Sequence, residues 1–428
     1  MTYILLFGLF FVLLFLNAPI CICLGISAVC SLLYNGTSLT VVASSIYSGI
    51  AKYLLLAVPF FVLSGNIMAK AGISRRLIAF VDACCGHIRG GIAVVCVVVA
   101  CFFGAISGSG AATVAALGVI LIPAMIDREG FSAPFSTGIM AAASSIAIII
   151  PPSISFVVYA SITGVSVGNL FIAGIIPGIM MGLALIVVVE FTAKKEGLKP
   201  SHGWMGLRQV WKTFKDAFWG LLMPVIILGG IYGGIFSTTE AAAVAVVYGL
   251  FVGFVIYREL DLKTLASLFT DSAKTTGGLM LIVGAAGLFS YACTAYGISS
   301  GVQDILLNVS GNKYVFLLIV NIVFLIAGCF VDANSAMYIF IPIMAPVAQA
   351  FGVNMVHFGI VATVNLAIGQ ITPPVGMNLF VATGLRLEGH EPVTIAQISK
   401  AVLPMITAAA IVLLLVTYVE GFSLFLIS

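Results

Sequence analysis

At two places the apolar sequence of this chain breaks in the same way. A helix-forming stretch stops at a small polar tip, and a later stretch stops at Pro-Pro. The first tip is Phe103-Gly104-Ala105-Ile106-Ser107-Gly108-Ser109-Gly110, followed by Ile150-Pro151-Pro152-Ser153. The second is Gly328-Cys329-Phe330-Val331-Asp332-Ala333-Asn334-Ser335, followed by Ile371-Thr372-Pro373-Pro374. Non-helical backbone at membrane depth is tolerated only where protein buries it or it lines a cavity. Paired breaks in two related halves therefore point to the binding site of a secondary carrier.

Composition makes the membrane the only workable solvent. The chain is 62% hydrophobic and 8% charged, with a mean hydropathy of +1.24, whereas soluble domains carry about 25% charged residues. It is expected to be one polytopic membrane domain over 1–428, with the first apolar run retained rather than cleaved as a leader. A net charge of +3 with no basic stripe gives nucleic acid nothing to bind. The nine cysteines lie almost entirely in apolar stretches without CxxC pairing, and the four histidines are scattered. The cysteines read as packing residues rather than metal or redox groups, and the histidines, in connections or at segment ends, point to no catalytic or metal role. No GxxxxGK phosphate loop occurs, so nothing points to nucleotide-driven work, and no nucleophile–base or metal constellation points to an enzyme.

Apolar stretches able to cross a bilayer lie near 3–33 (with Pro19 as a kink), 53–70, 135–164, 169–190, 219–236, 240–257, 277–296, 356–383 and 401–427. Two further pairs, 91–106 with 111–126 and 314–330 with 335–350, are shorter. At 1.5 Å per residue, about 16 residues reach only about 24 Å of a roughly 30 Å core. Each pair is expected to be a re-entrant hairpin. Amphipathic stretches at 40–52, 73–88, 204–217 and 261–275 are expected to lie at the interface.

Charge placement orients the threading. Lys194, Lys195, Lys199, Arg208, Lys212 and Lys215 crowd the connection 191–218, which marks it as cytoplasmic. Counting outward puts Arg75, Arg76, Arg89, Arg128, Arg258, Lys263, Arg386 and Lys400 on that side too, and leaves only Lys52 and Lys313 outside. The N-terminus is then inside and the C-terminus outside, with the hairpins opening to opposite faces. That is the arrangement of an inverted repeat. Landmarks recur at nearly one offset: Gly72-Ile73-Ser74 and Gly297-Ile298-Ser299 (297 − 72 = 225), Gly104 and Gly328 (224), Pro151 and Pro373 (222). The first repeat is expected over 40–190 (hairpin 91–126, broken helix 135–164). A central connection with scaffold helices follows over 191–260. The second repeat occupies 261–428 (hairpin 314–350, broken helix 356–383).

Sodium is a hard ion that takes oxygen ligands. Ser107, Gly108, Ser109 and Thr113 offer hydroxyls and convergent carbonyls at the first tip, and Ser144, Ser145 and Pro151-Pro152-Ser153 form a facing wall. The second site would pair Asp332, Asn334 and Ser335 with Gln370, Thr372, Pro373, Gly376 and Asn378. Asp332, Ser107, Ser109, Ser153 and Thr372 are the candidates for touching substrate. Small and hydroxylated residues in membrane helices also serve plain packing, which leaves Ser144-Ser145 open. Asn321 and Asn365 are open in the same sense, and Glu240 reads as a helix cap after Ser237. Asp332 stands apart, because an ionisable group at membrane depth is a functional hypothesis by default.

Phe103-Gly104-Ala105-Ile106-Ser107-Gly108-Ser109-Gly110-Ala111-Ala112-Thr113, Ile149-Ile150-Pro151-Pro152-Ser153 and Gln370-Ile371-Thr372-Pro373-Pro374-Val375-Gly376 resemble the large membrane subunit of tripartite ATP-independent periplasmic (TRAP) transporters. The likeness covers nearly the whole chain. It implies an all-α, inverted-repeat, elevator-type permease of the bacterial inner membrane that imports an organic acid with co-transported sodium ions. It also implies two partners, a small membrane subunit, here separate rather than fused, and a periplasmic substrate-binding protein. Within the family the chain looks most similar to the sialic acid (N-acetylneuraminate) branch, with C4-dicarboxylate as the alternative. A stand-alone sodium-coupled carboxylate carrier is the nearest competing class.

Overall fold

The computed structural model describes residues 2, 4–387 and 389–427. It is built of helices, with no strand among the described residues. Both hairpins form. Gly91–Ser107 turns at the left-handed Gly108 (φ +61°) into Gly110–Ala124, and Lys313–Phe330 turns at Val331 and Asp332 into Ala333–Ala350. Both interrupted helices form as well. Ala133–Ser145, extended by a tight turn over Ile146–Ile148, breaks before Ile154–Thr163, while Met355–Gly369 breaks before Met377–Thr383. Both Pro-Pro bonds are cis.

The repeat is visible in its close contacts. A Cβ on Gly104 would stand 2.7 Å from the Ala147 Cα, and one on Gly369 would stand 2.5 Å from the Gly328 Cα. In each half a hairpin limb thus lies directly against the first part of the interrupted helix, at a distance only glycine permits. The matched pairs keep the sequence offset (328 − 104 = 224; 369 − 147 = 222). Gly72 and Gly297 also match: both are left-handed (φ +73° and +67°) and both precede an amphipathic helix, Ile73–Cys85 and Ile298–Ser310. The second of these was missed in the sequence because its polar residues resemble a connecting loop.

Two bodies result. The scaffold comprises Ile20–Tyr34, Leu39–Ile50, Ala57–Lys70, Leu207–Tyr232, Thr238–Phe251 and Leu262–Ala295, which pack on one another. The other body holds both hairpins and both interrupted helices, backed by Val167–Lys195 and Leu403–Tyr418. They meet where Ala57–Lys70 touches the first hairpin and where Leu262–Ala295 touches the second. A Cβ on Gly65 would lie 3.1 Å from the Ser107 Cα, so the two bodies touch backbone to backbone at the first tip.

Several expectations change. Residues 4–34 are not one kinked crossing. Asn17 is left-handed (φ 60°) and Pro19 starts a new helix, so the chain folds back, and Thr2 bonds Asn35 at 3.2 Å. Residues 2 and 35 share an end, which puts the N-terminus opposite to the side expected. The stretches 204–217 and 261–275 do not stop at the interface. They run on into Leu207–Tyr232 and Leu262–Ala295, the latter 34 residues and about 51 Å long, because nothing between the polar and apolar parts breaks a helix. The limbs are also longer than read. Gly110–Glu129 (20 residues) and Lys313–Phe330 (18 residues) are among the seven helices that, among the described residues, are long and apolar enough to cross a membrane. Limb length therefore does not argue for re-entrance; the meeting of the tips with the broken helices does. The last segment bends by 52° between Ile395–Ala401 and Leu403–Tyr418, with Pro404 in the first turn of the second helix.

Ion pairs between elements respect the threading. Arg75 and Arg76 pair with Glu259 at 3.0 and 2.7 Å, His202 with Asp82 at 3.2 Å and His390 with Asp127 at 3.3 Å. All of these lie on the side counted as cytoplasmic. Lys313 pairs with Glu420 at 2.8 Å on the other.

Candidate functional site

Both tips, with Ser155 and Gln370 from the two breaks, line one cavity of about 530 Å³. Its far wall is scaffold: Val62, Gly65, Asn66, Lys70, Thr275 and Leu279. The first break touches the second tip across the repeat, since the Ser155 hydroxyl donates to Asn334 Oδ1 at 3.0 Å.

Each tip is capped by the residue that starts its second limb. Ser109 Oγ accepts from the Ala112 amide at 3.5 Å, and Asp332 Oδ2 accepts from the Asn334 and Ser335 amides, each at 3.1 Å. The Ser335 hydroxyl closes on Asp332 Oδ1. These are equivalent positions (332 − 109 = 223) with different charge. A helix N-terminus carries about half a positive charge. The neutral Ser109 leaves that charge at the first tip, where an anion gains from it. Asp332 cancels it at the second tip and leaves a half-exposed carboxylate facing the cavity.

The remaining hydroxyls of the first tip are tied together. Ser107 Oγ lies 2.9 Å from Thr113 Oγ1, which donates to the Ser109 carbonyl at 2.8 Å. Ser145 donates to the Ala142 carbonyl at 2.8 Å, as Ser144 does to Met140. Both are helix-local bonds of the packing kind.

Of the five substrate candidates, Asp332, Ser107 and Ser109 line the cavity. Ser153 and Thr372 are not brought to it. Ser153 is fully buried and donates to Ile148 O at 2.6 Å, while Thr372 donates to Ile368 O at 2.7 Å. Each hydroxyl satisfies a carbonyl that its own break set free. Ser155, two residues beyond Ser153, takes the place expected of it. A sequence reading centred on Pro-Pro stops at Ser153, two residues short of it, because Ser155 already belongs to the returning helix.

The second break departs from the expected pairing. Gln370 Oε1 and Asn378 Oδ1 are buried without a hydrogen-bond partner, and both turn toward the first tip. A Cβ on Gly110 would meet them at 2.8 and 2.9 Å. Gly376 (φ +55°) donates to Cys329 O at 3.1 Å, and a Cβ there would stand 3.1 Å from both the Gln370 and Thr372 carbonyls. Pro151 and Pro373 act through the bend rather than by contact, since neither lines the cavity. An unpaired buried polar group costs about 1–3 kcal/mol, and a hard cation among these oxygens would relieve it. The donor set fits sodium.

Asn321 and Asn365 belong to a different arrangement. Asn365 donates to Asn321 Oδ1 at 2.8 Å, and Asn321 donates to Thr417 Oγ1 at 3.2 Å. This buried chain ties the second hairpin to Leu403–Tyr418. Glu240 is a cap, completing a reciprocal pair with Ser237.

Residues 7–422 match the family described as tripartite ATP-independent periplasmic transporter, DctM component. The chain is 42% identical over 402 residues to the C4-dicarboxylate TRAP transporter large permease protein DctM of Pseudomonas aeruginosa, covering 94% of this chain and 92% of that one. It belongs to this family. The permease is also 37% identical over 399 residues to the sialic acid TRAP transporter large permease protein SiaM of Vibrio cholerae, covering 92% and 91% of the two chains. To the isethionate TRAP transporter permease protein DctMQ of Oleidesulfovibrio alaskensis it is 40% identical, covering 98% of the permease and 65% of that longer chain. Among solved structures, the YdaH transporter of Alcanivorax borkumensis shares the fold, with a TM-score of 0.61 at 14% identity over 92% of the permease and 89% of that chain.

Proposed function

We propose that the permease carries a C4-dicarboxylate together with sodium, holding both between its two hairpin tips and sliding the two-hairpin body along the scaffold. It is a multi-pass protein of the bacterial inner membrane and works with a small membrane subunit and a periplasmic binding protein, as its family does. The observation that carries the reading is the single cavity shared by both tips and both breaks. One wall belongs to each body, so displacement of one body past the other changes the side from which the cavity is reached. The cavity extends to Lys70, beside the arm that holds Arg75 and Arg76. This arrangement faces the cytoplasm.

A dicarboxylate suits the asymmetry of the tips. One carboxylate meets the uncancelled helix end at Gly110 and Ala111, and sodium offsets Asp332 and the second carboxylate. The relatives named for C4-dicarboxylate include the 42% identical one, against 37% for the sialic acid relative, so the preference drawn from the resemblance gives way to its alternative. A cavity of about 530 Å³ lies within the usual range for small ligands, roughly 300–1,000 Å³, and admits both.

Uptake into proteoliposomes holding the permease and its small subunit tests this, with labelled succinate and labelled N-acetylneuraminate compared. Succinate uptake should need both an inward sodium gradient and the binding protein. Preference for N-acetylneuraminate would overturn the substrate, and uptake without binding protein would make the permease a stand-alone carrier.

A further inference from the structure

A second cavity, of about 480 Å³, lies between the same two bodies on the opposite side. The scaffold lines it with Ser45, Ser48 and Ser290, and the hairpin body lines it with Thr163, Tyr338 and Gln349. Lys52 is the one charged side chain among the described lining residues. It sits between Leu39–Ile50 and Tyr53–Leu56 and donates to Ser161 O at 2.6 Å, in the last turn of Ile154–Thr163. No acidic group answers it among the described residues. An ammonium has three donors, so two remain.

Between the two cavities lies an apolar neck of about 10 Å³, lined by Leu55, Val58, Val158 and Met280 among others. That is roughly the room of a single water. The neck shares Tyr338 and Val283 with the outer cavity and Asn334 and Leu279 with the tip cavity. The two chambers are thus in line, with a closed constriction between them.

We propose that the outer cavity is a binding station for the carboxylate of the incoming anion, with Lys52 as its counter-charge and the surrounding hydroxyls as further donors. This rests on the reading of the permease as an organic-anion carrier. Burial lowers the Lys52 pKa from the ordinary lysine value, as it does for any ammonium without a counter-charge, and an arriving carboxylate reverses that. When the hairpin body moves outward, the tips come to the chamber where the anion already waits. Opposite charge in a cleft raises local ligand concentration, so the station acts on capture from outside and not on release inside.

Two measurements test it. In transport, Lys52→Gln should raise the external half-saturating anion concentration about tenfold with maximal rate little changed, and Lys52→Arg should restore it. The half-saturation measured from the cytoplasmic side should not move. Independently of any substrate, Ser290→Cys should react faster with an anionic than with a cationic methanethiosulfonate reagent, and adding Lys52→Gln should abolish that preference. A loss of maximal rate at unchanged half-saturation would make Lys52 a latch on Ser161 and overturn the station. So would a labelling preference indifferent to Lys52. If the wild type carries no dicarboxylate while the labelling preference still depends on Lys52, the carrier reading falls and the anion station stands.

Discussion

Asp332 performs two tasks that a single substitution separates. It caps Ala333–Ala350 through two amides, and it shows a carboxylate to the cavity. Asparagine caps a helix about as well as aspartate, whereas alanine loses roughly 0.5–2 kcal/mol. Asp332→Asn should therefore keep the thermal stability of the wild type yet raise the sodium concentration for half-maximal uptake about tenfold, the loss of one charge-assisted bond worth about 1.5 kcal/mol. Asp332→Ala should add a drop in stability. Wild-type sodium dependence in Asp332→Asn would reduce Asp332 to a cap. At this scale the sequence was informative where residue type is unusual for its surroundings. A lone carboxylate in an apolar run stood out, and so did the Ser-Gly-Ser-Gly tip. Ser153 and Thr372 were misplaced because hydroxyls beside a break have two outlets, the cavity or the carbonyls that the break frees, and spacing does not distinguish them. The turn of Gln370 and Asn378 toward Gly110 was illegible, since it depends on how one repeat lies over the other.

Elements were read well where glycine or proline punctuates the chain and poorly where nothing does. The hairpin turns and the two Pro-Pro breaks fall where expected, and the matched landmarks Gly72 and Gly297 are both left-handed. The long helices Leu207–Tyr232 and Leu262–Ala295 run straight through the change from polar to apolar, because a shift in hydropathy does not end a helix without a breaker. The glycine contacts give a prediction at this scale. Gly369→Ala sets a methyl 2.5 Å from the Gly328 backbone, where no side chain can give way. Such overpacking typically costs about 1–3 kcal/mol, so the variant should unfold at lower temperature or lose uptake. Gly277→Ala, in open space on Leu262–Ala295, should be silent. A Gly369→Ala protein as stable and active as the wild type would contradict the observed approach of limb and broken helix.

At the scale of the whole molecule, the two bodies meet around one cavity walled half by scaffold and half by the hairpin body. Landmark offsets made the inverted repeat legible, but not the shared cavity, because nothing in one repeat records which surface of the other it will meet. Ala112 lines that cavity, is exposed within it and makes no side-chain bond there. The most direct measurement is alkylation of Ala112→Cys in vesicles of known orientation, against the parent protein as background. The label should enter from the cytoplasmic face, and sodium with succinate together should protect the cysteine where neither alone does. Labelling indifferent to both, in a variant that still transports, would contradict a substrate site between the two tips.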